Sequence, residues 1–391
     1  MAYCKICGEY ECKKHTVLLG RARYVNEFSG SSPPEVFVGK WNYPNVYAGI
    51  LSPEEYGNTR IMSSAEEWRA KKLAIPDILG LRNKLIYGRN KTNVKKAVLN
   101  GKNSKFLSVL QEIAMTDNSV PAEFKLKKPV RRNDERESRV PLISSAGEVE
   151  KVQLQENPKI KKKVEYLVND NDVKSADALI ELQSAQISTS SMIKLLSAGL
   201  LGLKKNRKLV PTRWAITAVD SNLSSEKIEK IRYFPEIAEY RVFHDEYLGN
   251  HYEILLIPRY WSFEVIEISL KNFLVWKDFE SIFKRRSYAD NVTGAYYANR
   301  LAVCEYLERI GRQASVIVFR EIRPEYYSPL GVGILRETTR SAMTDSFRNF
   351  DNLSDALADI QSRLRISVER YLKESQMIRE LRQKRISDYL Q

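Results

Sequence analysis

Cysteine and histidine are scarce in this chain, and long apolar runs are missing. Its 391 residues include four cysteines and three histidines. Three of the cysteines fall within the first twelve residues, an arrangement that excludes the disulfide framework of a small secreted protein. No apolar run approaches the ~18 residues that a membrane span requires, and the first residues lack the apolar segment of a signal peptide. We therefore expect a cytoplasmic protein that has no membrane partner.

Acidic residues are outnumbered by basic ones. Asp and Glu total 49 against 63 Lys and Arg, which gives a formal net charge of +14. An excess of this kind favours polyanionic partners such as nucleic acid. Ordinary solvated faces are the alternative for any basic cluster. The candidates for contact with DNA fall into two clusters, the first of Lys91, Lys95 and Lys96 and the second of Lys127, Arg131 and Arg132.

The early cysteines follow the pattern Cys4-x-x-Cys7-x4-Cys12-x-x-His15. A structural Zn²⁺ ion binds nitrogen and sulfur ligands in a tetrahedron, and two close pairs of ligands joined by a short turn supply them. The pattern predicts a structural zinc ion in a knuckle over residues 1–20, with redox-active cysteines as the alternative. The fourth cysteine, Cys304, lies in a helical stretch and is expected to be a small core residue.

Strand-like and helix-like segments are mixed without strict alternation, which predicts an α+β fold. We expect a mixed-sheet body with flanking helices, a small N-terminal zinc knuckle, a long C-terminal helix and a short docking tail. The regions are the knuckle (1–20), an N-terminal α+β region with a basic connection (21–175), a C-terminal α/β region (176–372) and a projecting tail (373–391). Strands are predicted at 214–219, 240–243, 251–257, 263–268, 315–319 and 332–335, and helices at 177–203, 293–310 and 338–350.

One apolar stripe runs through the last part of the chain. Its members are Leu353, Leu357, Ile360, Leu364, Val368 and Leu372. Steps of four and three residues place them on one face of a helix, which predicts a single long amphipathic helix packed on the body up to Leu372. Lys, Glu, Arg and Gln dominate the residues that follow, so we expect that segment to project from the body.

The last residues carry an apolar pattern that is unusual for a chain terminus. Ile386, Tyr389 and Leu390 stand at i, i+3 and i+4, so one helical turn places all three on one face. With Gln383 they resemble the box by which proteins dock on the PCNA-type DNA sliding clamp. Leu390 departs from that box, which usually has a second aromatic residue there. The alternative is a last helical turn that packs on its own body.

Polar residues at the ends of predicted elements form a candidate nucleotide-binding or catalytic set. They are Arg213, Asp220, Tyr296, Arg300 and Glu321. Guanidinium groups suit phosphate, and aromatic faces suit a base. Arg300 stands four residues after Tyr296, a spacing that brings side chains together on a helix. Structural ion pairs are the alternative.

Several long runs of the chain resemble the archaeal Nre family of DNA repair proteins. They are Val-Pro-Thr-Arg-Trp-Ala-Ile-Thr-Ala-Val-Asp at 210–220, Tyr-Ala-Asp-Asn-Val-Thr-Gly-Ala-Tyr-Tyr-Ala-Asn-Arg-Leu-Ala at 288–302 and Arg-Glu-Ile-Arg-Pro-Glu-Tyr-Tyr-Ser-Pro-Leu-Gly-Val-Gly at 320–333, with shorter similarities at 28–34 and 41–44. The resemblance implies a role in the response to DNA damage that is linked to the sliding clamp. It implies no catalytic residues.

Two functional hypotheses follow. The first is a DNA repair factor, cytoplasmic and associated with the nucleoid, that binds DNA and is recruited to the clamp by its tail. The alternative is an enzyme that processes a nucleotide or nucleic acid, for example a nuclease or a nucleotide-dependent transferase, with its active site in the C-terminal region. An open pocket at the polar set would favour the enzyme, whereas enclosed ion pairs would remove it.

Overall fold

The computed structural model describes residues 23–98, 104–132, 145–283 and 285–382. They form two compact units. The first comprises the described residues up to Asn222 together with Tyr327–Leu330, and the second comprises Leu223–Tyr326 and the described residues from Gly331 onward. The boundary predicted at residue 175 falls inside the first unit. The predicted zinc knuckle at 1–20 and the predicted clamp box from Gln383 to Leu390 lie outside the described residues.

A six-stranded sheet organises the first unit. Its strands are β1 (Arg23–Ser32), β2 (Val36–Val38), β3 (Asn45–Ser52), β4 (Ile86–Asn93), β5 (Val120–Arg132) and β6 (Ala146–Leu154). The spatial order is β1-β5-β6-β4-β3-β2. Neighbouring strands are antiparallel except β4 and β6, which run parallel. The sheet is therefore mixed, as predicted.

Strand β5 shows how this sheet divides into a core face and a solvent face. Phe124 and Leu126 are buried, whereas Lys125 and Lys127 are exposed. Successive side chains of a strand point to opposite faces of its sheet. The alternation of apolar and charged residues therefore buries one face and leaves the other in water.

The helices of the first unit lie between its strands and after the last of them along the chain. They are α1 (Ala65–Ala70), α2 (Ile75–Asn83), α3 (Lys105–Met115), α4 (Lys162–Asn169), α5 (Ser175–Ser184) and α6 (Thr189–Ser197). The last two confirm the helical stretch predicted at 177–203. The N-cap residue of helix α1 is Ser64, whose side chain accepts a hydrogen bond from the backbone N–H of Glu67. Helix α3 buries Leu107, Leu110 and Ile113 on one face.

Helix α7 (Thr212–Ile231) shows that the strand predicted at 214–219 is wrong. A short apolar, β-prone run does not distinguish a strand from a buried helix. The carbonyl of Pro211 accepts hydrogen bonds from the N–H groups of Trp214 and Ala215. Pro211 therefore stands at the start of the helix, where its missing N–H costs the helix no hydrogen bond. Helix α7 then continues for 20 residues, beyond the length of an ordinary strand.

A second six-stranded sheet organises the second unit. Its strands are β7 (Tyr240–Tyr247), β8 (Asn250–Ile257), β9 (Ser262–Ser269), β10 (Val275–Glu280), β11 (Ser315–Ile322) and β12 (Arg348–Phe350). The order is β10-β9-β11-β8-β7-β12. Strands β9 and β11 are parallel, and the other neighbours are antiparallel. The strands predicted at 240–243, 251–257, 263–268 and 315–319 are confirmed.

Helices cover both faces of the central strands in this unit. They are α8 (Gly294–Ile310), α9 (Val332–Ala342), α10 (Leu353–Gln361), α11 (Val368–Glu374) and α12 (Gln376–Arg382). One apolar core contains Tyr296 and Leu307 of α8, and a second core contains Ile360 of α10 and Tyr371 of α11. Every residue of β8 and β9 is buried. The apolar run at 254–257 and the β-branched and aromatic residues of β9 made these strands predictable.

Helix α8 confirms the prediction at 293–310. It ends at Gly311, whose φ of 62° is the left-handed conformation that glycine supplies at helix ends. Cys304 is fully buried within it, which confirms a small core residue, and burial raises the pKa of its thiol well above the ordinary value. The strand predicted at 332–335 is wrong because Ile334, Leu335 and later buried residues of α9 follow a helical spacing.

Two short helices, α10 and α11, replace the single helix that the apolar stripe predicted up to Leu372. Helix α10 ends at Gln361, and α11 begins at Val368. Between them the buried carboxylate of Glu321 accepts hydrogen bonds from the backbone N–H groups of Arg365 (2.9 Å) and Ile366 (3.2 Å). The N–H groups of the segment between the two helices therefore have partners although that segment is not helical. The apolar stripe is continuous in sequence but is divided between separate helices.

Helix α12 corrects the expectation that the chain projects from the body beyond Leu372. Met377 and Ile378 are 3% and 1% exposed, and both belong to the core that contains α10 and α11. The polar composition of this segment hides these two apolar residues. The packed body therefore extends through α12.

Candidate nucleic-acid interface

The turn between β2 and β3 presents two aromatic rings to solvent. Trp41 is 76% exposed and Tyr43 is 42% exposed. Asn42, between them, has a φ of 61°, a left-handed conformation that asparagine adopts more readily than most residues. The backbone N–H of Asn45 donates a 2.8 Å hydrogen bond to the carbonyl of Asn42, which closes the turn. Lys40 lies against the first ring, with Nζ 4.7 Å from the centre of the Trp41 ring.

Strands β3 and β4 add another ring and two cations. Tyr47 pairs with Lys91 across the two strands. The Arg89 guanidinium lies 4.1 Å from the centre of the Tyr47 ring. Because Arg89 and Lys91 are two residues apart on one strand, their side chains leave the same face of the sheet.

A 3₁₀ helix (Val94–Val98) follows β4. Its first N–H donates a 2.9 Å hydrogen bond to the carbonyl of Pro44, and its first carbonyl accepts a 2.9 Å hydrogen bond from the N–H of Leu209. These bonds hold the 3₁₀ helix between the aromatic turn and the segment that leads into α7. Lys95 and Lys96 are therefore exposed beside that turn.

The first turn of α7 completes the region. The backbone N–H of Val38 donates a 2.9 Å hydrogen bond to Thr212 Oγ1, which fixes the start of the helix beside β2. The rings of Tyr43 and Trp214 are 5.2 Å apart between centres, with their planes at 50°. Trp214 is 46% exposed, and its neighbour Arg213 is exposed as well.

We name this region the Trp41 surface. Its members are Lys40, Trp41, Tyr43, Tyr47, Arg89, Lys91, Lys95, Lys96, Lys208, Arg213 and Trp214. Within the described part of the chain, Lys91, Lys95 and Arg213 have no acidic side chain within ion-pair distance. Positive charge that no carboxylate neutralises is the kind that attracts phosphate groups. The first of the two predicted DNA-contact clusters lies here.

The second predicted cluster, on β5, is partly neutralised by neighbouring carboxylates. Lys127 Nζ lies 3.1 Å from a carboxylate oxygen of Glu148, and the hydrogen bond from Lys127 lowers the pKa of that carboxyl. Arg132 is buried. Its guanidinium pairs with Glu54 and donates to two backbone carbonyls, so it is a structural residue rather than the surface cation that the sequence predicted. Arg131 is exposed.

Arg300 and Tyr296, from the predicted nucleotide-binding set, lie in the core of the second unit. Arg300 Nη1 donates a 2.7 Å hydrogen bond to Glu280, and its Nε donates a 3.1 Å bond to Ser224 Oγ. The side chains of Arg300 and Glu280 are 4% and 3% exposed. Burial alone would lower the pKa of Arg300, but the charge of Glu280 raises it above the ordinary value. Tyr296 packs against this pair, with its ring centre 5.8 Å from the guanidinium carbon.

The other members of that set have separate surroundings. Glu321 is fully buried, and it accepts a 2.8 Å hydrogen bond from Arg323 Nε besides the two backbone bonds described above. Asp220 is fully buried in α7, whereas Arg213 belongs to the Trp41 surface. The enclosed ion pairs of Arg300 and Glu321 are structural, so they do not form the open pocket that an active site requires.

Trp41, Tyr43 and Trp214 are among the members of the Trp41 surface that sequence reasoning missed. The candidates for DNA contact include no residue of the segment 41–44, and the pattern at 214–219 predicts a strand. The available signal was the alternation of large rings with Lys40 and, later in the chain, with Arg213. Rings interleaved with cations are typical of surfaces that bind single-stranded nucleic acid.

Two further properties concern only the described ranges. In them, no group of three or more His, Cys, Asp or Glu side chains is placed to hold a metal ion. No helix in the same ranges combines the length and apolarity that crossing a bilayer requires.

Comparisons with known proteins cover nearly the whole chain. The family models described as "Archaeal Nre, N-terminal" and "Archaeal Nre, C-terminal" match residues 2–276 and 280–389. The chain is 33% identical to DNA repair protein NreB of Archaeoglobus fulgidus, over 98% of this chain and 97% of that protein. It is 35% identical to DNA repair protein NreA of the same organism, over 93% of both chains. It is 30% identical to DNA repair protein NreA of Haloferax volcanii, over 89% of this chain and 86% of that one. No solved structure matches.

Proposed function

The chain belongs to the archaeal Nre family, and on that premise we propose that it is a DNA repair protein that binds DNA through the Trp41 surface and is recruited to a PCNA-type sliding clamp by its C-terminal box. The repair role is supported by the relatives, each of which is named a DNA repair protein. The two binding activities rest on this chain's own residues.

The observation that carries DNA binding is the uncompensated charge of the Trp41 surface. Lys91, Lys95 and Arg213 are exposed and lack acidic partners within the described residues. Elsewhere in the first unit, Lys125 and Lys163 lie 3.4 Å and 2.5 Å from carboxylates. Cations that are already neutralised gain less from phosphate. The Trp41 surface differs from other exposed cations of this unit, such as Lys128 and Lys151, because it combines its charge with exposed aromatic rings.

Clamp recruitment is supported by the sequence that directly follows the last described helix. Gln383, Ile386, Tyr389 and Leu390 occupy the anchor positions of a clamp-binding box. Helix α12 is packed on the body and ends at Arg382, directly before the first of them. A short apolar helix inserted in a groove on the partner is a common mode of peptide recognition.

A salt titration of DNA affinity tests the first activity. Replacement of Lys91, Lys95 and Arg213 by alanine should weaken binding and lower the slope of log K against log salt by roughly 0.7–0.9 for each phosphate group that the protein no longer neutralises. The control removes the same number of positive charges from neutralised positions, by alanine at Lys125, Lys127 and Lys163. Equal weakening in the two variants, or no DNA binding at low salt, would contradict the proposal.

A pull-down with purified clamp tests the second activity. Alanine at Ile386 and Tyr389 should abolish binding, because both apolar anchors are removed, and should leave the melting temperature of the protein unchanged. Alanine at Lys384 and Ser387, which stand between the anchors, is the matched control and should retain binding. Retention of the clamp by the anchor variant would show that the box is not the docking element.

We also propose that Cys4, Cys7, Cys12 and His15 hold a structural zinc ion. Their spacing supplies the closed nitrogen and sulfur ligand set of structural zinc sites. The enzyme alternative has less support, because Tyr296, Arg300 and Glu321 are engaged in the core of the second unit.

A further inference from the structure

The Trp41 surface contains more exposed aromatic area than electrostatic attraction to phosphate explains. Trp41 is 76% exposed and Trp214 is 46% exposed, whereas Trp68 and Trp261 are 3% and 0% exposed. Leaving a large ring in water forgoes the free energy gained by burying it. Neighbouring exposed rings of this kind mark a site for a partner.

The rings are interleaved with cations. Lys40 Nζ is 4.7 Å from the centre of the Trp41 ring. The Tyr43 and Trp214 rings are 5.2 Å apart, and Arg213 adjoins the second of them in α7. Trp41 therefore has a positive side chain against its ring, and Trp214 has one next to it in sequence.

We infer that the Trp41 surface binds single-stranded DNA, with unpaired bases stacked on Trp41, Tyr43 and Trp214 and phosphates held by the neighbouring cations. This inference rests on the proposed DNA binding and specifies its substrate class. In a duplex the base faces are already stacked on one another, so none is free to receive an exposed ring. In a single strand every base offers a face to a ring, whatever its sequence.

Charge decides between nucleic acid and the other partners that exposed rings attract. An apolar protein groove would gain from the rings but would have to bury Lys91, Lys95 and Arg213 without counter-charges, which is costly. A single strand supplies an anionic phosphate for each base, and so satisfies rings and cations together.

The test separates bases from phosphates. Fluorescence anisotropy would measure binding of the full-length protein to an oligothymidylate strand, to an abasic strand of equal length and to a duplex. The base-bearing strand should bind about tenfold or more tightly than the abasic strand. Trp41→Ala and Trp214→Ala should each weaken the base-bearing complex about tenfold and leave the abasic complex unchanged.

Tyr166→Ala is the matched control. Tyr166 is 60% exposed in the same unit, and Lys163 Nζ lies 5.1 Å from its ring centre, so it copies the ring and cation without belonging to the Trp41 surface. It should leave all three affinities unchanged. Quenching of tryptophan fluorescence in the unaltered protein gives a readout that needs no variant: the base-bearing strand should quench it, and the abasic strand should not.

The outcomes distinguish the inference from the proposed function. If no strand binds at low salt, DNA binding itself is wrong. If base-bearing and abasic strands bind equally, and only the removal of Lys91, Lys95 and Arg213 weakens them, then DNA binding stands and base stacking is wrong. Preference for the duplex over the single strand would overturn the inference in the same way.

Discussion

The backbone N–H of Gln376 donates a 2.7 Å hydrogen bond to the carboxylate of Glu264. Ser375 Oγ and the N–H of Met377 donate to the same carboxylate, at 2.5 Å and 3.2 Å. A buried side chain of β9 thus receives the first N–H groups of α12, which have no partners within the helix. Because helix α12 has only seven residues, this carboxylate is a main reason that the last helix stays on the body.

Glu264→Ala should therefore lower the free energy of unfolding by about 3 kcal/mol, since several donors to a charged acceptor are left without partners. Urea unfolding of the purified protein measures this change. Glu264→Gln keeps one acceptor oxygen and should lose less. A Glu264→Ala variant as stable as the unaltered protein would show that α12 is held by its apolar side chains alone.

The same carboxyl predicts a dependence of stability on pH. Burial, which outweighs the hydrogen bonds from Ser375, Gln376 and Met377, raises the pKa of Glu264 above its ordinary 4.5. The folded state then binds this proton more tightly than the unfolded state does. The stability that the group contributes is fully present below about pH 4.5 and is lost as pH rises through the folded pKa. Relative to Glu264→Gln, which does not titrate, the unaltered protein should lose stability across this window. If the stability of both proteins changed with pH in the same way, the raised pKa of Glu264 would be contradicted.

The pKa of Lys194 predicts that the protein gains stability with rising pH in the alkaline range, the opposite of the effect of Glu264. Burial lowers the pKa of its ammonium group to about 8, although Asp117 lies 3.9 Å away and the carbonyl of Thr116 accepts a 2.9 Å hydrogen bond from its Nζ. The folded state releases this proton before the unfolded state does. Compared with Lys194→Met, the unaltered protein should gain stability as pH rises from about 8 towards 10.5. Chemical denaturation across that range measures the difference, and a constant difference would exclude the shift.

Arg300 provides the test of the enzyme alternative. Arg300→Met leaves the buried carboxylate of Glu280 without its counter-charge, so the free energy of unfolding should fall by about 3–5 kcal/mol. Adding Glu280→Gln to the same chain removes the stranded charge and should recover part of that decrease, as calorimetry would show. If Arg300→Met left stability unchanged, the pair would not have the structural role described above, and a catalytic role would regain support.

Metal analysis tests the zinc ligands. The purified protein should contain about one zinc ion per chain, and Cys7→Ser should reduce that content sharply because a thiolate ligand is removed. Cys304→Ala is the control, since this cysteine is buried in α8 and is not part of the cluster. Full zinc content in Cys7→Ser would exclude the predicted ligand set.

Four of the six strands of the second sheet, β7, β8, β9 and β11, were predicted, and the central ones are strands whose two faces are both covered by helices. Strand β10 was not predicted, and β12 lies within the helix predicted at 338–350, which is wrong there. Every residue of the doubly covered β8 must be apolar or paired, and the apolar run at 254–257 is the part that the sequence shows. The run at 214–219 has the same appearance, but it is the beginning of α7. Local sequence does not contain the interactions that decide between the two, such as the hydrogen bond from Val38 to Thr212.

The prediction of a single C-terminal helix from the apolar stripe was wrong for a related reason. Its spacing describes which side chains face the core, and Ile360 and Leu372 do face one core. The breaks between helices depend on Glu321 and Glu264, which are remote in sequence from the segments that they bind. Periodicity within a segment contains no information about an acceptor that another strand supplies.

The Trp41 surface also has members that the sequence could identify and members that it could not. Lys91, Lys95 and Lys96 could be identified from charge alone. The aromatic members could not, because a tryptophan is buried far more often than it is exposed. Only the turn geometry around Asn42 shows that the Trp41 ring is in water.

On the proposed recruitment, the packing of α12 limits the length of chain between the body and the clamp. Only seven residues lie between Arg382, the last residue of that helix, and the anchor Tyr389, counting the anchor itself. A fully extended chain spans at most about 3.6 Å per residue, so the body would be held within roughly 25 Å of the groove that takes the anchor. A connecting segment this short would keep the protein at millimolar effective concentration beside the clamp. Repair would then be confined to DNA that lies next to the ring of the clamp.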